Sequence, residues 1–544
     1  MTYPGAGRML WAAVAVVLPL LAGHGGARAD DAVMMWNDDM VTAAIDTSIL
    51  LTDGPPEIAN QMAMLDTAMF NAVNAASGMP YQGYDYSGGA VADASADAAA
   101  LAAGYGVLSS VFNAATWTTA LNAAQTGGAL TKSTVDIPTL ESQIDTAFGT
   151  VMSLVNTDYT TALAALTASV DPTALANGLA LGAQQATDIL DQRAADGSIT
   201  AIINGLNNNA PVGSGTVAGV YIPPSATPGG RPEMFPEWDI VSPWAISPAT
   251  MASDVTGIAG PPPLDSPAYA NALLEVECEG VSTTYTLPAA TQAACTSAGY
   301  GPETAAQTAA ALFWNDPGGT ATPPGHWLDI ADTVLTDEDV TDELQQARLT
   351  AMLSTAEADA GTAAWTVKYQ DNLWRPVTAI TTSACDSPNA DPSDGDDAAS
   401  WNPYFTTCDP DWSSEIATPP HPDYVAGHPA FSGAGAAVLE SFFGTNDIGF
   451  CSTSDAYMND GSPVDPITEC FDSFSDAGTS AEFSRVAGGI HTPFAVEDAF
   501  TLGSEVGGQA VLNDAFAPVP EPASALLLAP AIAMAARLRG RRRL

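Results

Sequence analysis

Three short stretches hold the residues of this sequence that could do chemistry together. WTVKYQDNLWRPVTAI (Trp365 to Ile380) carries Lys368 and Arg375, with Pro376 directly after the arginine. HPDYVAGHPAFSGAGAAVLESFFG (His421 to Gly444) carries His421 and His428, the second behind Gly427. SRVAGGIHTPFAVEDAFTLG (Ser484 to Gly503) carries Arg485 and His491. Two guanidiniums and an ammonium make a fork-and-point-charge cradle for a tetrahedral oxyanion. One histidine could then bind the guest directly, while the other exchanges protons near neutral pH. Taken singly, each stretch has a bland reading: a solvated pair of bases, a histidine at a helix cap, a glycine-rich bend. Trp365, Leu373 and Trp374 beside the bases argue against a plain surface.

Charge makes the grouping conspicuous. The chain has 62 acidic residues against 14 lysines and arginines, for a formal net charge of −48. Seven of the bases sit near the two termini: Arg8, Arg28, Arg537, Arg539, Arg541, Arg542 and Arg543. Of the seven that remain, three fall in the stretches above, as do three of the five histidines. So acidic a surface argues against nucleic acid and anionic membrane as partners. The acidic run DPSDGDD (Asp391 to Asp397) offers oxygen ligands for Ca²⁺, against the plainer reading of a solvated loop.

The elements that must position these residues read as helices. From residue 34 to about 209, apolar residues recur at three- and four-residue spacing, as in IANQMAMLDTAMFNAVNAA (Ile58 to Ala76). Asp171–Pro172 marks a helix start. Residues 210–265 are rich in proline and glycine and read as extended segments over the surface. Helical patterns resume at Ser266–Glu277, Pro302–Trp314 and Thr341–Asp371. Lys368 and Arg375 share one face if a helix runs that far, although Pro376 disfavours helix at Arg375. Pro429 suits the first helical position, which sets His428 where free amides and the helix dipole favour an anion. Gly488 and Gly489 bend the chain so that Arg485 and His491 can converge. Alternating strand patterns are scarce. The expected class is all-α: two packed helical bundles with long Pro/Gly-rich loops, residues 30–209 forming one region and 266–515 the one that carries the site.

Both ends carry addressing signals. Arg8, an apolar run and ARA at Ala27–Ala29 have the order of a secretory signal peptide over residues 1–29, a membrane anchor being the competing reading. At the other end, 518–544 runs from VPEPAS through a short apolar piece to RLRGRRRL. Export puts the six cysteines in an oxidising compartment. Six cysteines allow 15 pairings. Because neighbouring cysteines bracket loop-like stretches, the expected pairs are Cys278–Cys295, Cys385–Cys408 and Cys451–Cys470.

The pattern of Lys368, Arg375 and Pro376, then Gly427 and His428, then Ser484, Arg485 and His491 resembles the vanadium-dependent haloperoxidase and type 2 phosphatidic acid phosphatase superfamily. WNDDMVTAAI, PEWDIVSPWAI and FWNDPGG extend the likeness to the haloperoxidase branch over most of the chain. The resemblance implies vanadate as cofactor, with Lys368, Arg375, Arg485 and the Gly427 amide around its oxygens and His491 bound to the metal. It implies His428 as acid–base residue, with hydrogen peroxide, halide and a small organic molecule as partners. Family members usually have Ser where this chain has Ala426. His421 resembles the residue found in bromide-oxidising members and, with Trp365, implies a pocket for bromide or iodide rather than chloride. The tail resembles the PEP-CTERM sorting signal, which implies exosortase processing and a place outside the inner membrane of a Gram-negative bacterium. Two other readings stay open: a phosphatase working through a phosphohistidine at His491, and a surface or matrix protein whose pocket has decayed.

Overall fold

The computed structural model describes residues 31–50, 52–130, 136–207, 218–222, 233–382, 404–405, 407, 409–459 and 461–519. The first seven helices are α1 (Ala32–Thr47), α2 (Pro55–Ala76), α3 (Ala96–Val111), α4 (Ala114–Gly127), α5 (Ile137–Ser169), α6 (Pro172–Arg193) and α7 (Ser198–Asn207). They form one bundle, with α2, α3 and α6 packed on one another and α5 against α1 and α3. Asp171 caps α6 as its sequence foretold, its carboxylate accepting from the amides of Thr173 and Ala174. The Ala-rich stretch Ala96–Gly127 is long and apolar enough to cross a membrane, but its most apolar part is more than half buried in this bundle.

The second bundle follows: α8 (Pro248–Gly257), α9 (Pro267–Glu279), α10 (Ala289–Ala298), α11 (Ala305–Phe313), α12 (Thr322–Asp337), α13 (Glu343–Asp371), α14 (Pro376–Thr382), α15 (Gly427–Phe443), α16 (Phe474–Ala487) and α17 (Pro493–Ala510). Its centre is α13 against α15 and α17. Small residues allow the tightest of these contacts. A Cβ at Gly503 would overlap the Ala430 carbonyl, and one at Gly507 would lie 2.7 Å from that of Ala434. The seam between the bundles is α2 on α13. Both helices are buried nearly all round, so α2 is a central helix rather than an amphipathic one.

The structure differs from the sequence reading in three places. The 210–265 segment is not simply a surface connection. Tyr221, Phe235, Trp238 and Trp244 are buried, and α8 forms within it, because aromatic side chains withdraw from water more strongly than prolines hold the chain outside. Helix α12 was not foreseen, since its opening TPPG reads as a breaker, although Pro is compatible with a first turn. Two antiparallel ladders also appear: β1 (Phe450–Thr453) pairs with β4 (Thr468–Phe471), and β2 (Tyr457–Asn459) with β3 (Ser462–Val464). Cys451 and Cys470 face each other across β1 and β4 and are disulfide-bonded. The Cys278–Cys295 bond joins α9 to α10. Cys385, Cys408 and the acidic run 391–397 lie outside the described residues, as do residues 1–30 and 520–544.

Candidate active site

The three chemical stretches meet where helices end. Lys368 lies in the last turn of α13, which stops at Asp371 with Asn372 in a left-handed conformation (φ 49°). Arg375 therefore does not share a helix face with Lys368; it sits in the link before Pro376 opens α14. Helix α15 begins at Gly427, with Ala426 as its N-cap and no side-chain capping bond. Pro429 is thus its third residue rather than its first. Helix α16 ends at Ala487, and Gly488 and Gly489 (φ 76°) turn the chain so that His491 precedes α17. A side chain at Gly489 would collide with the Gly280 backbone.

Lys368, Arg375 and Arg485 are 0–1% exposed. Among the described residues none of the three makes an ion pair with a carboxylate. The Lys368 ammonium donates to the carbonyls of Pro422 (3.0 Å) and Asp423 (3.4 Å). Arg375 donates through Nε to the His421 carbonyl (2.6 Å) and through Nη1 to the Ile490 carbonyl (2.7 Å). Its Nη1 lies 2.9 Å from His491 Nε2, and its Nη2 2.9 Å from His421 Nδ1. Arg485 donates through Nε to the Ser484 hydroxyl (2.9 Å) and through Nη2 to the Ala311 carbonyl (3.3 Å). Its Nη1 is buried with no hydrogen-bond partner. Burying an arginine nitrogen unpaired is expensive, and an anion in contact with it would remove that cost.

The electrostatics tie these groups together. Burial pushes both guanidiniums down to about 10, so both stay charged at neutral pH. Burial and then Arg375 hold the Lys368 ammonium well below its usual range. Burial, followed by Arg375 and Lys368, holds His491 neutral; burial and then Arg485 do so for His428. His421 is likewise held neutral by burial, then by Lys368 and Arg375. Asp423 is the carboxylate nearest the centre, pushed up to about 6 by burial against the opposing pull of Arg375.

Asp423 has a defined task. Its Oδ1 accepts from His491 Nδ1 at 2.7 Å, and its Oδ2 from the Thr492 hydroxyl at 2.8 Å. The proton of neutral His491 is thereby held on Nδ1, and the Nε2 lone pair points to Arg375. His428 places Nε2 3.1 Å from the Asn315 carbonyl and 3.8 Å from Asp316 Oδ2, which fixes its proton on Nε2 and leaves Nδ1 as the basic position. Trp365 and His421 stack at 5.1 Å, and the Lys368 ammonium lies 5.7 Å from the Trp365 ring centre. A Cβ at Gly427 would come 3.2 Å from that ring. Trp365, Lys368, Arg375, His421, Gly427 and His491 are therefore neighbours, and His428 and Arg485 are joined to them electrostatically, His428 through Arg485 and Lys368, and Arg485 through Arg375. Asp423, Thr492, Asn315 and Asp316 were not singled out, although Asp423 stands between the two histidines of HPDYVAGH. Among the described residues no group of three or more His, Cys, Asp or Glu side chains could hold a metal ion by itself.

Residues 348–516 match the family model of the VCPO second helical-bundle domain. No curated protein matches the chain. The crystal structure titled the first bacterial vanadium-dependent iodoperoxidase superposes with a TM-score of 0.57 at 20% identity, over 89% of this chain and 97% of that one. The holo form of a bacterial vanadium-dependent chloroperoxidase gives 0.52 at 15% identity, over 87% and 95%. Its apo form gives 0.52 at 14%, over 85% and 93%. The chain has the fold of the bacterial vanadium-dependent haloperoxidases it superposes on, and its residues 348–516 are similar to the VCPO second helical-bundle domain.

Proposed function

We propose that the chain is an exported, vanadate-dependent haloperoxidase that uses hydrogen peroxide to oxidise bromide or iodide to hypohalous acid, halogenating small organic molecules. The observation that carries this reading is the cluster of three buried basic side chains that, among the described residues, make no ion pair with a carboxylate, one guanidinium nitrogen of them unpaired, beside an imidazole nitrogen whose lone pair is free of its own proton. That set fits a multiply charged tetrahedral oxyanion that can also accept a nitrogen ligand. Lys368, Arg375, Arg485 and the Gly427 amide would hold its oxygens, and His491 Nε2 its metal. Bound vanadate supplies Lewis-acid activation of peroxide without changing its own oxidation state.

The chain's own residues do the rest. Asp423 keeps the His491 proton on Nδ1, so the ligand nitrogen is always presented unprotonated. The guanidiniums stay charged and pre-aimed, so they stabilise negative charge without reorganising. His428, neutral before the guest arrives, takes the peroxide proton at Nδ1 while Asn315 holds its Nε2–H in place. Trp365 and His421 wall the approach; a polar imidazole there favours bromide or iodide over chloride. Two disulfides, a strongly acidic surface and the terminal signals support export with a processed tail.

The Asp423–His491 pair favours a second reading, phosphoryl transfer, because the same dyad would activate His491 as a nucleophile toward a phosphate ester. Ala426 favours a third, a pocket that no longer turns over. One experiment separates them: purified protein with vanadate, peroxide and bromide, following bromination of a phenolic dye, beside hydrolysis of a phosphate ester without vanadate. Bromination abolished in His491→Ala supports the haloperoxidase. Hydrolysis without halide oxidation replaces it with the phosphatase, and inactivity in both assays replaces it with the decayed pocket.

A further inference from the structure

A second buried imidazole stands behind the first. His326 lies in α12, 3% exposed, flanked by the rings of Phe313 (5.0 Å) and Trp314 (4.7 Å). Its Nδ1 is 3.2 and 3.3 Å from the two carboxylate oxygens of Asp316, and its Nε2 is 3.2 Å from the Ser452 hydroxyl. Asp316 is the same carboxylate that faces His428 Nε2 at 3.8 Å. A continuous chain thus runs from Ser452 through His326 and Asp316 to the acid–base candidate. Each of its first three members is less than a tenth exposed.

The hairpin that carries Ser452 is tied into this place. Ser452 follows Cys451, whose bond to Cys470 closes β1 onto β4. Asp455, from the same hairpin region, accepts from the Ala321 amide at the mouth of α12 (2.7 Å). The Tyr457 hydroxyl donates to the Leu312 carbonyl at the end of α11. The loop between α11 and α12 holds Asp316 (φ 41°) in the left-handed region, and Thr322 in the first turn of α12 is there too (φ 62°). A β-branched residue in that region is strained and persists only where its surroundings fix it.

We propose that His326 is a positioning residue for His428: clamped by Ser452 at one ring nitrogen, it holds Asp316 with the other and so sets the charge that faces His428 Nε2. The inference rests on the reading of His428 as the acid–base group, and it makes the disulfide-closed hairpin part of the active site. Two imidazoles share one carboxylate. Burial opposes a charge on His326, but Asp316 first, then Asp329 and Asp455, outweigh it and raise the ring above its usual range. A protonated ring at this place offsets the Asp316 charge and adds a positive field at His428, which burial and Arg485 also disfavour as a cation. Without His326 there is less positive charge to offset Asp316 at His428, and the proton affinity of His428 rises.

The test is a proton titration of the histidine rings, read by NMR on the full chain labelled in histidine and free of vanadate. Five histidines make assignment by single His→Asn variants direct. In His326→Asn the amide can replace the ring's Nδ1–H toward Asp316 but carries no charge. The expected result is a proton affinity of His428 raised about three- to tenfold, as removal of one nearby charge implies. The acidic limb of the bromination profile should move to higher pH by the same factor, with the folded state intact. A folded His326→Asn protein in which His428 titrates as before overturns the proposal. Should that variant not fold, Ser452→Ala keeps the ring and removes its clamp; the His326 and His428 midpoints must then both move, and unchanged midpoints overturn the proposal equally. Because the titration needs no turnover, a chain that failed to oxidise halide would defeat the functional reading and still leave this one tested.

Discussion

Replacing Asp423 by asparagine perturbs the site through its orienting residue alone. The volume is unchanged, but an amide cannot accept from both His491 Nδ1 (2.7 Å) and the Thr492 hydroxyl (2.8 Å) as the carboxylate does. The His491 proton is then free to move to Nε2, where it meets the Arg375 Nη1 donor 2.9 Å away. Two effects oppose each other in vanadate binding. Loss of a hydrogen bond to a charged group costs about 1.5–3 kcal/mol, and altered support behind a ligand histidine typically costs about 10–100-fold in affinity. Loss of the negative charge favours any anion, by about 2–4 kcal/mol for a unit charge a few ångströms off at an effective dielectric of about 20. A ratio removes the second effect, because in mildly acidic solution phosphate is a monoanion like vanadate but takes no coordinate bond from imidazole. Calorimetric titration of both anions should therefore show the vanadate-to-phosphate affinity ratio falling about 10–100-fold in Asp423→Asn. A ratio unchanged within about threefold would refute the assignment of His491 Nε2 as the ligand and of Asp423 as its support.

Two further expectations come from the same geometry. In Ala426→Ser the new hydroxyl sits at the N-cap of α15, where Pro429 at the third helical position has no N–H to offer it but His428 at the second does. Its oxygen can accept that N–H while its own proton donates to the guest, so vanadate should bind about ten- to a hundredfold more tightly, the worth of one charge-assisted bond; equal affinity by calorimetry would mean this position does not face the anion. Stability should also fall as pH rises from 6.5 to 8.5. Burial raises Asp66 to about 7, and Glu277 and Asp329 to about 8. A carboxyl raised in the folded state contributes fully below its unfolded value and loses that contribution as pH climbs through the folded one, at up to about 1.4 kcal/mol per pH unit for each group. His421, His428 and His491 are depressed and act in the opposite sense, but only below their ordinary value of 6.5, and the depressed Lys368 ammonium opposes the fall as a single group, so above 6.5 the more numerous acids decide. A melting temperature that is flat or rising over that window, by scanning calorimetry, would contradict this.

How much of this could be read in advance follows from contrast. Lys368, Arg375, Arg485, His428 and His491 stood out because bases are scarce in the chain. Asp423 and Asp316 matter as much to the geometry, but two acids among 62 give no contrast, and their roles depend on which histidine nitrogen they meet. Helices were legible where small and apolar residues repeat. Helix α12 was hidden by the very prolines that start it, and the buried tryptophans of the 210–265 segment by the prolines around them. The hairpin at 450–471 was legible only as a cysteine pair; that Ser452 turns inward to His326 is a fact of pairing register.

The central claim is that one oxyanion would sit among Lys368, Arg375 and Arg485, with His491 Nε2 as its nitrogen ligand. Vanadium content after incubation with vanadate and gel filtration, by elemental analysis, tests it most directly. The account predicts close to one vanadium per chain, and almost none in His491→Ala or Arg485→Ala proteins that remain folded. Wild-type protein that retains no vanadium, or variants that retain it equally, would contradict it.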